Sequence, residues 1–187
     1  KELVNIVSGN VSVKAGNDAI QAATDINISG GTVVAGGDRG FRLDDGGKLN
    51  ITGGDVLATA TDYQITNSTD SQATVDLSGC TQGVMMLDFA AGQSKKQPIT
   101  IQQNGNTVYE MTTNKKCSYA LLSGSGLTAS GSYTTAVNSA EQGHTPSGST
   151  TQESTFVMSG TATEFYQVAA TGTVVTPTDD TAVATIS

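Results

Sequence analysis

The segment from Val4 to Thr59 repeats one pattern three times, and this repetition constrains the fold more than any other feature of the chain. VNIVSGNVSV is followed 22 residues later by INISGGTVVA, and 23 residues after that by LNITGGDVLA. Asn5, Asn27 and Asn50 occupy the same point in each copy, with an apolar residue on either side. Ile6, Ile28 and Ile51 come next, and Val11, Val33 and Val56 lie five residues further on. Short strand patterns joined by glycine corners at a period in the low twenties describe a solenoid. Leucine-rich repeats share that period, but leucine is scarce here. The pattern therefore predicts an all-β protein, a right-handed parallel β-helix of about 22–23 residues per coil with a small β-rich C-terminal part.

Within a coil, alternation sends Ile26 and Ile28 to one face and Asn27 to the other. The isoleucines should stack in an inner column and the asparagines in an outer row. Gly30-Gly31 and Gly53-Gly54 turn the chain, because glycine accepts positive φ without steric cost. Gly16-Asn17 and Gly36-Gly37 form a second corner before Ile20 and Phe41. Thr74-Val75-Asp76-Leu77-Ser78-Gly79 reads as a looser fourth copy, with Asp76 at the asparagine position. Lys1 opens almost directly into a coil, so the chain is expected to be a piece of a longer protein with further coils before it.

The expected organisation is coils over 1–79, a β-rich part over 80–172 that packs on or caps them, and a final strand or linker over 173–187. In the second part, 84–89 reads as a buried strand. Asn104-Gly105 between two alternating runs is a strong hairpin signal for 98–103 and 107–111. Strands are also expected at 119–122, 131–137, 155–158 and 164–168, with a long surface loop over 138–154. Cys80 and Cys117, the two cysteines of the chain, are either a disulfide or two buried thiols; CxxC spacing, and with it a zinc or redox motif, is absent.

Charge narrows the partners. The net charge is −8 and the pI about 4.3, so nucleic acid is not an expected partner, because phosphate binding needs clustered Lys and Arg. No apolar run is long enough for a helix to span a membrane. Only 14% of residues are charged, and the Ser/Thr/Asn-rich composition suggests an extracellular or cell-surface bacterial protein.

The S-G-G-T-V block, the G-N-D-A-I and G-D-R-G-F blocks, DLSG and LLSGSGLTASGSYTTAV resemble the bacterial cell-surface carbohydrate-binding parallel β-helix family. That family is similar in fold to pectate and other polysaccharide lyases and is often dockerin-associated. The resemblance covers about residues 2 to 137 and is strongest from 24 to 59. It implies binding of a plant polysaccharide, polygalacturonate or glucan, with Ca2+ held between coils. The family tends to place an aspartate before the glycine–isoleucine pair of each coil, and often another after it. Here Asn17-Asp18-Ala19-Ile20 is followed by Ala22-Ala23, Asp38-Arg39-Gly40-Phe41 by Asp44-Asp45, and the third coil keeps Asp62 before Tyr63. The acids are thinner than in the family, which reduces the calcium sites implied.

Read as chemistry, Asn17, Asp18 and Asp25 from one coil and Asp38, Asp44 and Asp45 from the next bring oxygens to neighbouring corners, about 5 Å apart. Calcium takes six to eight such oxygens. The same residue types are also ordinary turn formers. Phe41 and Tyr63 fall at equivalent positions, either as core filling or as a short stacking platform edged by Arg39, Arg42 and Gln64. The two arginines suit the carboxylates of an acidic glycan, and acidic pectin-type glycan is slightly favoured over neutral glucan. A lyase would use Arg39 or Arg42 as base beside Asp38 and Asp44, but both arginines lie in one coil. His144, the one histidine, sits in the expected loop. The expected function is therefore non-catalytic polysaccharide binding. A calcium-dependent lyase and a structural or adhesin segment are the alternatives.

Overall fold

The computed structural model describes residues 2–44, 47–61, 75–76, 79–93, 95–96, 98–127, 133–137, 150–154, 161–162, 166–168 and 183–186. Among these the secondary structure is strand without helix, so the protein is all-β. The strands are β1 (Val4–Ile6), β2 (Asn10–Lys14), β3 (Asp18–Ala22), β4 (Ile26–Gly37), β5 (Arg39–Leu43), β6 (Leu49–Ala60), β7 (Val75–Asp76) and β8 (Val84–Gln93). They continue as β9 (Pro98–Gln103), β10 (Asn106–Thr112), β11 (Cys117–Ser123), β12 (Tyr133–Val137), β13 (Thr150–Ser154), β14 (Thr161–Ala162), β15 (Tyr166–Val168) and β16 (Val183–Ile186).

The three sequence repeats pair in parallel, like residue on like residue. Asn5 stands opposite Asn27 and Ile6 opposite Ile28; Asn27 then stands opposite Asn50 and Ile28 opposite Ile51. The isoleucines are buried, whereas Asn5 is exposed and Asn27 and Asn50 are half-buried. Their carboxamides form a ladder in which Asn50 Nδ2 donates to Asn27 Oδ1 at 2.7 Å and Asn27 Nδ2 donates to Asn5 Oδ1 at 2.8 Å. Beyond the corner, Val11, Val33 and Val56 are in register. Gly9, Gly31 and Gly54 sit at that corner with φ of 87°, 84° and 86°. A Cβ on Gly54 would come within 2.6 Å of the Gly31 carbonyl oxygen, so both the dihedral and the close approach require glycine.

A second parallel pair, β3 with β5, sets Ile20 opposite Phe41 and Ala22 opposite Leu43. These side chains share one core with Ile26, Ile28, Val33, Ala35, Leu49, Ile51 and Val56. The repeats thus enclose apolar residues between two parallel sheets.

The large sheet runs in the order β15-β8-β11-β6-β4-β2-β16, with β1 beside β4. Its parallel centre is extended by antiparallel strands, β11 on β6 and β16 on β2. Strands β10-β9-β12-β13 form a separate antiparallel sheet. Ile99, Ile101, Tyr109 and Met111 of that sheet pack with Leu57, Met85, Leu87, Ala120 and Leu122 in a second core. The large sheet therefore has apolar residues on both faces. At the β9–β10 hairpin, Asn104 and Gly105 have φ of 51° and 78°, the two positive dihedrals of a type I′ turn.

Several expectations are corrected. The looser fourth copy does not continue the parallel ladder, since Val75–Asp76 pairs antiparallel with Thr161–Ala162. The segment after it closes the β6 edge instead. Thr81 N donates to Ile51 O at 2.9 Å, and Gly79 lies against the Asn50 side chain, where a Cβ would clash. Of the two readings left open for Cys80 and Cys117, the buried thiols are found, not the disulfide. Cys80 Sγ accepts from Ile51 N at 3.3 Å and donates to Leu49 O at 3.2 Å. Cys117 belongs to the other core, where burial pushes its thiol up to about 12. The end of the expected loop over 138–154 is strand β13, paired with β12. Thr150–Ser154 lacks apolar alternation, so backbone pairing rather than patterning recruits it. A final strand is present at β16, and the expected strand over 155–158 lies outside the described residues.

Candidate functional site

The β3–β5 pair holds several of the residues singled out from the sequence. Asp18 stands opposite Arg39 and Gln21 opposite Arg42. Arg39 Nε donates to Asp18 Oδ1 at 2.6 Å, and Arg42 Nη1 donates to Asp18 Oδ2 at 3.0 Å. One carboxylate is thus clasped by two guanidiniums from the next repeat, and its side chain is only 7% exposed against 15% for Arg39 and 28% for Arg42. Arg39 Nη2 also reaches Asn17 Oδ1 at 3.5 Å. Arg42 Nε is buried without a hydrogen-bond partner among the described residues. Gln21 is exposed beside it.

This arrangement follows from stacking at a strand spacing of about 4.8 Å. Asp18 and Arg39 are direct cross-strand neighbours, and Arg42 reaches back diagonally. The clasp holds both guanidiniums in place and leaves the group one positive charge in excess.

A second polar group forms at the adjoining corner. Asp38 Oδ1 accepts from Thr61 Oγ1 at 3.0 Å and lies 3.4 Å from Lys115 Nζ. Lys115 is buried and donates to Ala15 O at 2.9 Å. Its neighbour Asn114 donates through Nδ2 to Val13 O at 2.8 Å. These two residues come from the turn after β10 and bridge roughly a hundred positions of sequence. No periodic signal marks them, because Thr113-Asn114-Lys115-Lys116 reads as an ordinary polar turn.

Phe41 is fully buried and packs in the first core. Of the two readings of Phe41, core filling is the one found, and its place as a ligand-binding residue is corrected: Phe41 faces Ile20's side of the sheet while Arg42 takes the outer side. Tyr63 and Gln64 lie outside the described residues, as do Asp45, Asp62 and His144.

Among the described residues, the acids named for calcium already carry other partners. The Asp18 carboxylate oxygens are taken by arginine, and Asp38 by a hydroxyl and an ammonium. Asp25 Oδ1 accepts from Lys48 N at 3.1 Å, and Asp44 meets its neighbours through backbone bonds to Ala22 and Gly47. Among the described residues, no three His, Cys, Asp or Glu side chains converge as metal ligands. Calcium needs carboxylate and carbonyl oxygens free of competing cations. Compared with family models, curated proteins and solved structures, the chain matches none of them.

Proposed function

We propose that the chain is a non-catalytic, extracellular polysaccharide-binding module built on a right-handed parallel β-helix of about 22–23 residues per coil. The β-helix reading is supported by parallel pairing of successive repeats in two sheets around one core. Its hand is supported by the rule that parallel crossovers are right-handed. The bacterial cell-surface setting and a place within a larger, dockerin-associated protein rest on the composition and the family resemblance.

The observation that carries the binding reading is the clasped, partly exposed arginine pair on β3–β5. Glycan recognition requires polar groups held in advance, because ordering long side chains on binding costs affinity. Asp18 supplies that order. Arg42 is the more exposed of the two guanidiniums and has Gln21 alongside. Its fork suits a carboxylate, so an acidic glycan such as polygalacturonate is preferred to neutral glucan. Calcium has no step in this reading.

Affinity electrophoresis across a glycan panel tests it. Retention by polygalacturonate should fall as NaCl rises from about 50 mM to about 500 mM, because exposed ionic contacts weaken with the Debye length. Arg42→Ala should weaken retention roughly tenfold, and Arg39→Ala by less. Salt-independent retention on soluble neutral glucan, with none on pectin, would overturn the acidic preference. No retention on any glycan would leave the structural or adhesin reading. Unsaturated product absorbing in the ultraviolet, formed with calcium, would show a lyase.

A further inference from the structure

We infer that the arginine pair is one end of a longer cationic track, which holds an acidic polysaccharide over several uronates. This rests on the acidic-glycan reading above and extends it to residues which that reading does not use. The basis is a concentration of charge. The chain has nine Lys and Arg residues and a net charge of −8, yet seven of the nine meet around one corner of the fold.

That corner is the link between β2 and β3. Lys14 ends β2, and the next carbonyl, Ala15 O, accepts from Lys115 Nζ at 2.9 Å. Asn17 Oδ1 accepts from Arg39 Nη2 at 3.5 Å, and Arg42 joins Arg39 at Asp18. Lys115 is buried, so it adds charge to the local field rather than a contact. Lys116 follows it and is half-buried. The turn between β8 and β9 carries Lys95 and the exposed Lys96. It is tied to the same place, because Lys96 N donates to Thr113 O at 2.7 Å. Thr113 lies two residues before Lys115, a span of at most about 7 Å. Among the described residues, the acids paired into this group are Asp18 and Asp38, so positive charge is in excess.

Gly16 stands in the middle of the track. Lys14 pairs with Gly36 and Asp18 with Arg39, so the first repeat places three residues where the second places two. The corner bulges accordingly. Gly16 is exposed, and a Cβ on it would meet no atom within 4 Å. Open surface therefore connects the lysine side of the corner to the arginine side. Exposed ion pairs contribute little singly, which favours a ligand that meets several cations at once. A polyuronate, with one carboxylate on each sugar, is such a ligand.

Calorimetric titration of the whole chain with a galacturonate disaccharide and a decasaccharide tests the track, with circular dichroism to verify that each variant folds. Decasaccharide affinity should fall more steeply with NaCl than disaccharide affinity, because more ion pairs are screened. Lys95→Gln with Lys96→Gln should flatten the decasaccharide slope. Gly16→Glu, which the open space accommodates, should weaken the decasaccharide about tenfold, whereas Gly16→Ala should not. Equal salt slopes for the two sugars would overturn the track, as would wild-type decasaccharide affinity in Gly16→Glu. Tighter binding of a single-stranded DNA decamer at the same salt would overturn its assignment to a glycan. Arg42→Ala separates the two readings. If it leaves both sugars bound while the lysine variant flattens the slope, the arginine reading fails and the track stands. If it releases both sugars while the lysine variant changes nothing, the track alone fails.

Discussion

The two apolar cores of this protein are built by opposite rules. In the first, parallel repeats set isoleucine on isoleucine and asparagine on asparagine, so each level copies the one before. In the second, antiparallel strands set unlike residues together, with Tyr109 and Met111 packed among Leu57, Leu87 and Leu122. The outward column Ser12, Val34 and Leu57 shows where one rule hands over to the other. It becomes more apolar level by level as the second layer covers it. Ser12 meets the Asn114 amide, whereas Leu57 is fully buried in the second core. A repeat stack therefore carries its partner layer in the one column that fails to repeat.

Breaking the first rule should have the largest effect. Ile28→Asp buries an unpaired charge in the middle of the isoleucine column, and should cost about 4 kcal/mol or more. Circular dichroism should show loss of strand signal from the whole chain. A folded, cooperative variant would mean that Ile28 is not in the core.

Alkali should act next, and through the second core. Burial raises the Cys117 thiol to about 12, and burial followed by the neighbouring Asp55 charge raises the Tyr109 hydroxyl. In both, the neutral form is favoured in the folded state. Their contribution is complete below the pKa of the unfolded chain, 9.0 for the thiol, and is lost as pH rises through the folded value. Denaturant midpoints should therefore fall between pH 9 and 12, and a flat profile there would contradict the burial of both groups.

Leu57→Ser gives the third level the residue found at the first. It should cost about 3 kcal/mol by cavity formation and separate the two cores. Hydrogen exchange should accelerate in β9 and β10 while the amides of β4 stay protected. Equal acceleration in both would mean the cores unfold as one. The smallest effect belongs to Asn27→Ala, which removes the middle rung of the half-exposed ladder and should cost about 1 kcal/mol. A change below a few tenths would show that the ladder is ornamental to stability.

Much of the first core was legible in the residues alone. Ile6, Ile28 and Ile51 and the asparagine row were placed by period and alternation, and Gly31 and Gly54 by their need for positive φ. The β9–β10 hairpin was legible in Asn104-Gly105 for the same local reason. Phe41 was correctly aligned above Ile20, but its face could not be assigned between core and platform. The TVDLSG match was misleading, because it copies the repeat's letters while Val75–Asp76 pairs elsewhere. Of the candidate site, the sequence singled out Asp18, Arg39 and Arg42, but set the arginines beside Asp38 and Asp44 and gave Asp18 to calcium, whereas in the fold Asp18 is the arginines' counter-charge.

What the chain determined by itself is whatever depends on a period or a dihedral: the parallel stacking of three repeats, their inward and outward columns, and the glycine corners. The tertiary structure decided what closes the stack and what charge meets what. Asn114 reaches Val13 across 101 residues, and Lys115 reaches Asp38 across 77. Contacts of that separation leave no periodic trace, because burial and pairing of one side chain by another depend on where two distant segments meet in space.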